Sequence, residues 1–547
     1  MKPDKIVVTN RAALEGKYGP GAGQVLRAVD RLVAADAQRG IATAVVGLDR
    51  REDLAPFGAT PVSDARDEEG AKRAIDAIDE AIRPHYYLLL GGPDIVPMQQ
   101  LENPTGLVTK MARSGDADMN VPSDMPYACD APYSSHRDPA DFLYPSRAVG
   151  RLPDLLWAKR PTYLVELLRL AAAARPLPRQ AYRDWFALSA ARWNGSTSKT
   201  VKKLFGGTSR LVLSPPAEDS WPASLLKPRV HLINCHGGNM DDGFNGQDVD
   251  DEDGNPGEQS LAITARSLRG RVTPGTVVAA ECCYGAQLFD STNVTNPLVQ
   301  RDFAEVQWPT RGRAGIALEY LRQGAHGFFG STTVAYGPTD TVAHADVICR
   351  VFLQKVLEGC SLGRAALEAR IAYARTVKWA SPVMWKTLAQ FHLLGDPSVH
   401  PVAGGRAERH RAITAEAVRE QERARRRRRR ERQHQEAKAL EMAREVYQLD
   451  ELVPPQRMEE FFALADRFGV RNKFVRAFTL LAGRAKVAQG DPSLAALRQS
   501  NQVLMLTDVY QEERRRLRGR EPFPRFAVAV AHFRNGTLVG KEKLESR

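Results

Sequence analysis

Hydrophobic and polar positions follow two rhythms along the first 150 residues. The runs 5–10 (KIVVTN), 41–48 and 85–92 are short, continuously apolar and of strand length, the last closed by Gly91-Gly92. Between them, 23–40 and 71–84 carry apolar residues at helical spacing and stop at Gly40 and Pro84. Strands alternating with helices predict βαβ units on a mostly parallel sheet. The stretch 103–145 has little periodicity and many Pro, Asp and Ser residues. Loops of that length in a compact domain are usually functional or mobile.

A second series follows. Strands are predicted over 184–193, 210–214, 229–235, 276–282 and 324–332, with helices over 313–323, 342–357, 362–376 and 382–392. The series ends at 392–402, where Gly395-Asp396-Pro397 predicts a turn leading into a last short strand. Beyond Gly405 the pattern changes. Residues 406–447 are rich in Glu, Arg, Ala and Gln with almost no apolar stripe before Leu440, which predicts a solvated, charged helix. From about 456 to 519 apolar residues return at helical spacing, among them Met458, Phe461, Phe468, Phe474 and Phe478. Asn535-Gly536 then separates two strand-like runs within 525–543, a hairpin signal. The expected organisation is an N-terminal α/β subdomain (1–155), a second α/β subdomain (156–402), a charged Arg-rich helical linker (403–450) and a small, mostly helical accessory domain with a terminal hairpin (451–547).

Composition narrows the picture. With 547 residues, 43% hydrophobic and 26% charged, the chain can build more than one packed core, and wholesale disorder is excluded. No window approaches the roughly 20 apolar residues of a membrane span. The start, MKPDKIVVTN, has no apolar signal core, so the expectation is a cytoplasmic protein with reduced thiols and no membrane partner. Six cysteines are too few for a disulfide framework. The net charge of +12 is uneven: residues 403–432 hold twelve arginines and five glutamates, which leaves only +5 for the rest. Six consecutive arginines, Arg425 first and Arg430 last, fit a solvated helix face, an acidic or nucleic-acid partner, or an exposed cleavage segment. Glutamates at 422, 431 and 436 soften the run, and no aromatic residues interleave to stack on bases.

Two strand-to-loop junctions carry chemistry. In one, Ile233-Asn234-Cys235 leads into His236-Gly237-Gly238; in the other, Ala280-Glu281 leads into Cys282-Cys283-Tyr284-Gly285-Ala286. Both put a reactive side chain at the carboxyl end of a predicted parallel strand, where open α/β sheets bind ligands. A thiol at its ordinary pKa of about 8.5 is only a few per cent thiolate at neutral pH, so a neighbouring histidine is needed to take its proton and later protonate a leaving amine. Glycines let backbone N–H groups approach a developing oxyanion. His236 and Cys283 are 47 residues apart, close to the spacing of about 50 in caspases. Either junction alone is more often a buried small hydrophobe or a turn.

The pair resembles the His-Gly and Cys dyad of caspase-like cysteine peptidases, the group of caspases, legumain, separase, CHAT-domain proteases and gingipains, and most resembles the gingipain (C25-type) branch. Tyr86-Tyr87-Leu88-Leu89-Leu90-Gly91-Gly92-Pro93-Asp94-Ile95-Val96-Pro97 is similar to a first-subdomain strand and turn of that branch. Tyr127, Asp130, Asp141 and Val149-Gly150-Arg151-Leu152-Pro153 are similar to its next block, and 324–332 and Leu393-Leu394-Gly395-Asp396-Pro397 to later ones, in order over roughly 5–402. The resemblance implies a caspase-like three-layer α/β/α sandwich in two subdomains, with the dyad in the second. It implies a cysteine-type endopeptidase in which His236 is general base and acid, and Gly237 and the nucleophile donate backbone N–H groups to the oxyanion. The gingipain pattern, Cys-x-x-Gly, points to Cys282; the caspase pattern, Cys-x-Gly, points to Cys283, as does the CHAT pattern. Cys283 is favoured because it lies just beyond the apolar strand. Its neighbour Glu281 stands where many relatives carry a small residue, and either raises the thiol pKa or points to the other face.

The acidic loop 241–258 directly follows His236. Asp248, Asp250, Asp251, Glu252 and Asp253 suit a solvated loop, a Ca²⁺ ion or a basic substrate side chain, although the spacing fails the EF-hand template. No other cofactor is expected. A basic residue at P1 is the sharper expectation for the substrate, with Asp124, Asp130 and Asp141 as further candidate specificity acids. The alternative to a peptidase acting on protein or peptide substrates is a catalytically silent scaffold that binds a partner through its basic C-terminal region.

Overall fold

A computed structural model describes residues 2–106, 118–135, 137–142, 145–155, 158–239, 241–252, 257–288, 315–376, 381–404, 446–448, 453, 455–470, 475–480, 501–510, 525–534 and 536–546. Ten apolar runs form one sheet: β1 (Lys5–Thr9), β2 (Thr43–Gly47), β3 (Tyr86–Leu90), β4 (Ala148–Leu152), β5 (Trp185–Ala190), β6 (Leu211–Ser214), β7 (Val230–Asn234), β8 (Val277–Ala280), β9 (Gly327–Ser331) and β10 (Phe391–Gly395). Their order is β2-β1-β3-β4-β10-β9-β8-β7-β5-β6. Every pairing is parallel except β9 with β10. Because most of these strands are buried on both faces, they read as continuous apolar runs rather than as alternation.

The sheet has two halves that meet where β4 touches β10, through the one register pair Leu394↔Arg151. Glycines permit that seam: a Cβ on Gly150 would stand 2.6 Å from the Gly395 carbonyl oxygen. The strand at the seam precedes the Gly-Asp-Pro turn instead of following it, which corrects the sequence expectation. The helix Pro382–Gln390 runs straight into β10 with no loop, and β10 pairs antiparallel with β9. The turn itself is bound from the other half. The buried Lys5 ammonium of β1 lies 2.5 Å from Asp396 and 2.9 Å from Asp36, the latter on the helix Ala22–Gln38. Burial pushes the Asp36 carboxyl up, whereas at Asp396 the opposing burial is outweighed by the Lys5 charge together with hydrogen bonds from Lys5 and Ser398, which hold the carboxyl below its usual range.

In the second half, helices cover both faces. Ile233, Val278, Ala280 and Phe328 pack with the helix Ile316–Arg322 on one side. Leu232, Val277, Ala279 and Phe329 pack on the other side with Val201 of the helix Asn194–Phe205 and with Ile348 and Phe352 of the helix Ala345–Leu357. The protein is thus a three-layer α/β/α sandwich with a mostly parallel central sheet.

The C-terminal region corrects a second expectation. The strands Val475–Leu480 and Asn501–Tyr510 stand within the span read as helical, and the only helix there among the described residues is Pro455–Arg467. With Val446–Gln448, Arg525–Arg534 and Thr537–Ser546 they form an antiparallel sheet whose last strand also pairs with Tyr336–Gly337 of the second half. Run lengths of four or five apolar residues, such as Val503-Leu504-Met505-Leu506, do not separate a doubly buried strand from a helix by periodicity. The charged run with Arg425 and Arg430 lies outside the described residues. No helix among the described residues is long and apolar enough to cross a membrane.

Candidate active site

β7 and β8 are adjacent and parallel, so the two junctions noted in the sequence emerge side by side at the same sheet edge. Beyond β7 the chain forms the two-residue strand His236–Gly237, which pairs antiparallel with Gly243–Gln247 in the register His236↔Asn245. This hairpin sets the imidazole. His236 Nε2 lies 2.7 Å from the carboxamide oxygen of the fully buried Gln247, so Nε2–H donates to Gln247 and Nδ1 is left as the basic nitrogen. The ring also packs on buried Trp193, 4.5 Å between centroids at 59°. Trp193 closes the turn before the helix Asn194–Phe205, and Asn234 donates to Thr197 on that helix, so His236 is on the helix's side of the sheet.

Beyond β8 the chain alternates faces into its turn. Cys282 belongs with Ile233, Cys235 and Ala280 to the core on the face of Ile316–Arg322, whereas Cys283 belongs with Val277, Ala279 and Ala335 to the core on the opposite face, the side of His236. Burial, with the Cys235 thiol beside it, pushes the Cys282 thiol well above its ordinary range. Cys283 Sγ accepts a hydrogen bond from the Ala335 N–H at 3.2 Å and, as a thiol, donates to the Ala335 carbonyl at 3.5 Å. Tyr284, next in the turn, has φ +53°, and Ala286 N–H donates to the Ser331 carbonyl at the end of β9.

Gly237 brings the junctions into contact. A Cβ there would lie 1.8 Å from the Cys283 carbonyl oxygen, so only glycine fits between the histidine segment and the cysteine turn. Glu281, by the same alternation, belongs to the Cys283 face. Its charge acts on Arg350 of the helix Ala345–Leu357, where burial lowers the guanidinium pKa and Glu281 and Asp346 oppose that.

The candidate specificity acids have different surroundings. Asp124 is 2% exposed and holds Arg151 of β4 through two bonds of 2.6 and 2.8 Å; Arg151 and His392 outweigh burial and keep its carboxyl below the usual range. Asp130 accepts from Ser146 and lies 3.5 Å from Arg147, while Asp141 is exposed on a short 3₁₀ turn. In the acidic loop Asp250 is ion-paired with Arg192, which also holds Glu545 of the last strand. Among the described residues no group of three or more His, Cys, Asp or Glu side chains is gathered as a metal would require; Asp253 lies outside them. Gln247 and Trp193 were not singled out in the sequence. Gln247 ends the strand Gly243–Gln247 beside the histidine, but nothing in its local sequence pattern distinguishes a ring partner from a solvated glutamine.

No protein-family model matches the sequence, and no curated protein matches it. Among solved structures, the chain is similar to the Arg-specific cysteine proteinase gingipain R at 12% identity and a TM-score of 0.44, over 73% of this chain and 79% of that one. It is similar to a solved protease at 11% identity and a TM-score of 0.41, over 99% of this chain and 96% of that one. It is also similar to separase of Saccharomyces cerevisiae, in a complex with securin, at 14% identity and a TM-score of 0.28, over 46% of this chain and 14% of that one.

Proposed function

We propose that the protein is a cysteine endopeptidase with Cys283 as nucleophile and His236 as general base and acid. The observation that carries this reading is the contact of Gly237 with the Cys283 carbonyl, on the sheet face that also carries the His236 ring. In the reaction, His236 Nδ1 takes the Cys283 proton, and the sulfur adds to the scissile carbonyl carbon. The backbone N–H groups of Gly237 and Cys283 receive the oxyanion. Collapse expels the amine, which leaves with the proton from His236, and the acyl group stays on sulfur as a thioester. Water, deprotonated by His236, then releases the carboxylic acid and restores the thiol. The acidic loop 241–258 beside His236 supports a basic residue at P1.

A second reading, a silent scaffold, draws support from burial: His236 is 5% exposed and Cys283 4%. Peptidyl acyloxymethyl ketones with Arg, Asp or Leu at P1, used with and without Ca²⁺ and read by peptide mass spectrometry, separate the two. The peptidase reading expects labelling of Cys283 by the Arg probe, retained in Cys282→Ala and lost in His236→Ala. Labelling at Cys282 would move the nucleophile to the other face. Silence with every probe favours the scaffold.

A further inference from the structure

We infer that the buried ion pair Asp118–Lys386 is a positioning element that locks the nucleophile turn and the segment 333–337 together around Cys283; the inference rests on the assignment of Cys283 above. Both side chains are fully buried and 3.0 Å apart, Lys386 coming from the helix Pro382–Gln390. Asp118 spends its two oxygens on the two segments that surround the thiol. Oδ1 accepts from the Tyr284 hydroxyl at 2.8 Å, and Oδ2 accepts from the Val334 N–H at 2.8 Å. The Lys386 ammonium also lies 5.7 Å from the centre of the Tyr336 ring.

Each of these contacts is one step from the sulfur. Tyr284 is the residue after Cys283, and its φ of +53° is a conformation that a bulky side chain holds only when its surroundings impose it. Val334 is the residue before Ala335, whose N–H donates to Cys283 Sγ. A third tie, from the Tyr284 N–H to the Thr333 carbonyl at 3.1 Å, closes the ring between the same two segments. Taking both charges of a pair out of water brings a desolvation penalty that well-packed apolar residues avoid. Here the carboxylate does what an apolar pair cannot, because it accepts a hydroxyl, an N–H and an ammonium at once. Asp118 is 166 residues from Tyr284, 216 from Val334 and 268 from Lys386, so the lock exists only in the folded chain.

Two alterations of the full chain test this. Tyr284→Phe removes one bond and keeps the ring; Asp118→Asn together with Lys386→Met removes both charges, so no lone charge stays buried. Amide hydrogen exchange over 282–287 and 333–337 is measured in both, and again in a Cys283→Ala background, where it does not depend on hydrolysis. Exchange in both segments is expected to rise on the order of tenfold as they open locally. With a peptide bearing arginine at P1 as substrate, kcat is expected to fall by about 10²-fold, as for a misplaced reacting group, while KM changes less than about twofold. Unchanged exchange in Tyr284→Phe overturns the lock, even if the double alteration unfolds the protein. Faster exchange with unchanged kcat overturns its positioning role. If the wild type hydrolyses nothing, the peptidase assignment falls, and the exchange result still decides whether the lock exists.

Discussion

Cys282 and Cys283 are adjacent in the chain and enter opposite layers of the fold. A strand sends successive side chains to opposite faces, so Cys282 enters the core beside Cys235, where burial pushes its thiol up, while Cys283 enters the core on the histidine side and exchanges hydrogen bonds with the Ala335 N–H and carbonyl. The same steric logic makes Gly237 the most demanding position of the site. Gly237→Ala would drive a methyl group into the Cys283 carbonyl, 1.8 Å away, and force the two junctions apart. Labelling of Cys283 by the Arg-P1 probe is expected to slow on the order of 10²-fold, with the circular dichroism spectrum unchanged. A wild-type labelling rate in this variant would show that the junctions are not in contact in solution. The candidate junctions at His236 and Cys283 stand out in the sequence because reactive side chains followed by small residues end two apolar runs. Gln247, Trp193 and Asp118 do not, since each reaches the site from a separate element and carries no local signature.

At the scale of elements, the β7–β8 pair was readable from apolar run length, and β7 adds a pH dependence. Within it, His231 is fully buried between Phe186 and Tyr320, with Nδ1 2.8 Å from the Tyr320 hydroxyl and Nε2 2.8 Å from the Pro228 carbonyl. Burial lowers its pKa from 6.5 to about 4, only partly offset by backbone carbonyls. The ring is therefore neutral in the folded protein and binds a proton in the unfolded chain below 6.5. Its contribution to stability is present above that pH and is lost as the pH falls toward about 4. Urea unfolding of the wild type and His231→Gln checks this: the stability difference between them should shrink by about 3 kcal/mol from pH 7 to pH 4. A constant difference would mean that the ring titrates alike in both states. β10 was misread for a different reason. A helix that passes into a strand without a loop leaves no punctuation, and the Gly-Asp-Pro turn drew the strand to its wrong side.

At the scale of the whole molecule, the C-terminal sheet is part of the second half's core. Val503, Met505, Phe526, Val528, Val530 and Leu544 join the cluster that contains Cys283 and Ala335, and the alternate residues Leu504, Leu506, Ala527 and Ala529 pack with Phe461 and Leu464 of the helix Pro455–Arg467. The ion pairs from Arg192 to Asp250 and Glu545 tie that sheet to the loop after His236. Six buried apolar side chains, at about 1.5–3 kcal/mol each, make independent unfolding unfavourable. Calorimetry is expected to show one main transition for the second half and the C-terminal sheet. Two well-separated transitions would show that the shared core contributes little.

The amino-acid sequence by itself determined the α/β class, the positions of most central strands along the chain and the two junctions that end in His236 and Cys282-Cys283. These are local properties, encoded in run length, helical spacing and turn residues. Tertiary structure alone decided which cysteine shares a face with His236, which helix becomes a strand in the C-terminal region, and which distant side chains hold the site. Those choices depend on the parity of strand faces beyond the last paired residue, on burial of both faces of the terminal sheet, and on contacts between residues more than 100 positions apart. No local pattern encodes them.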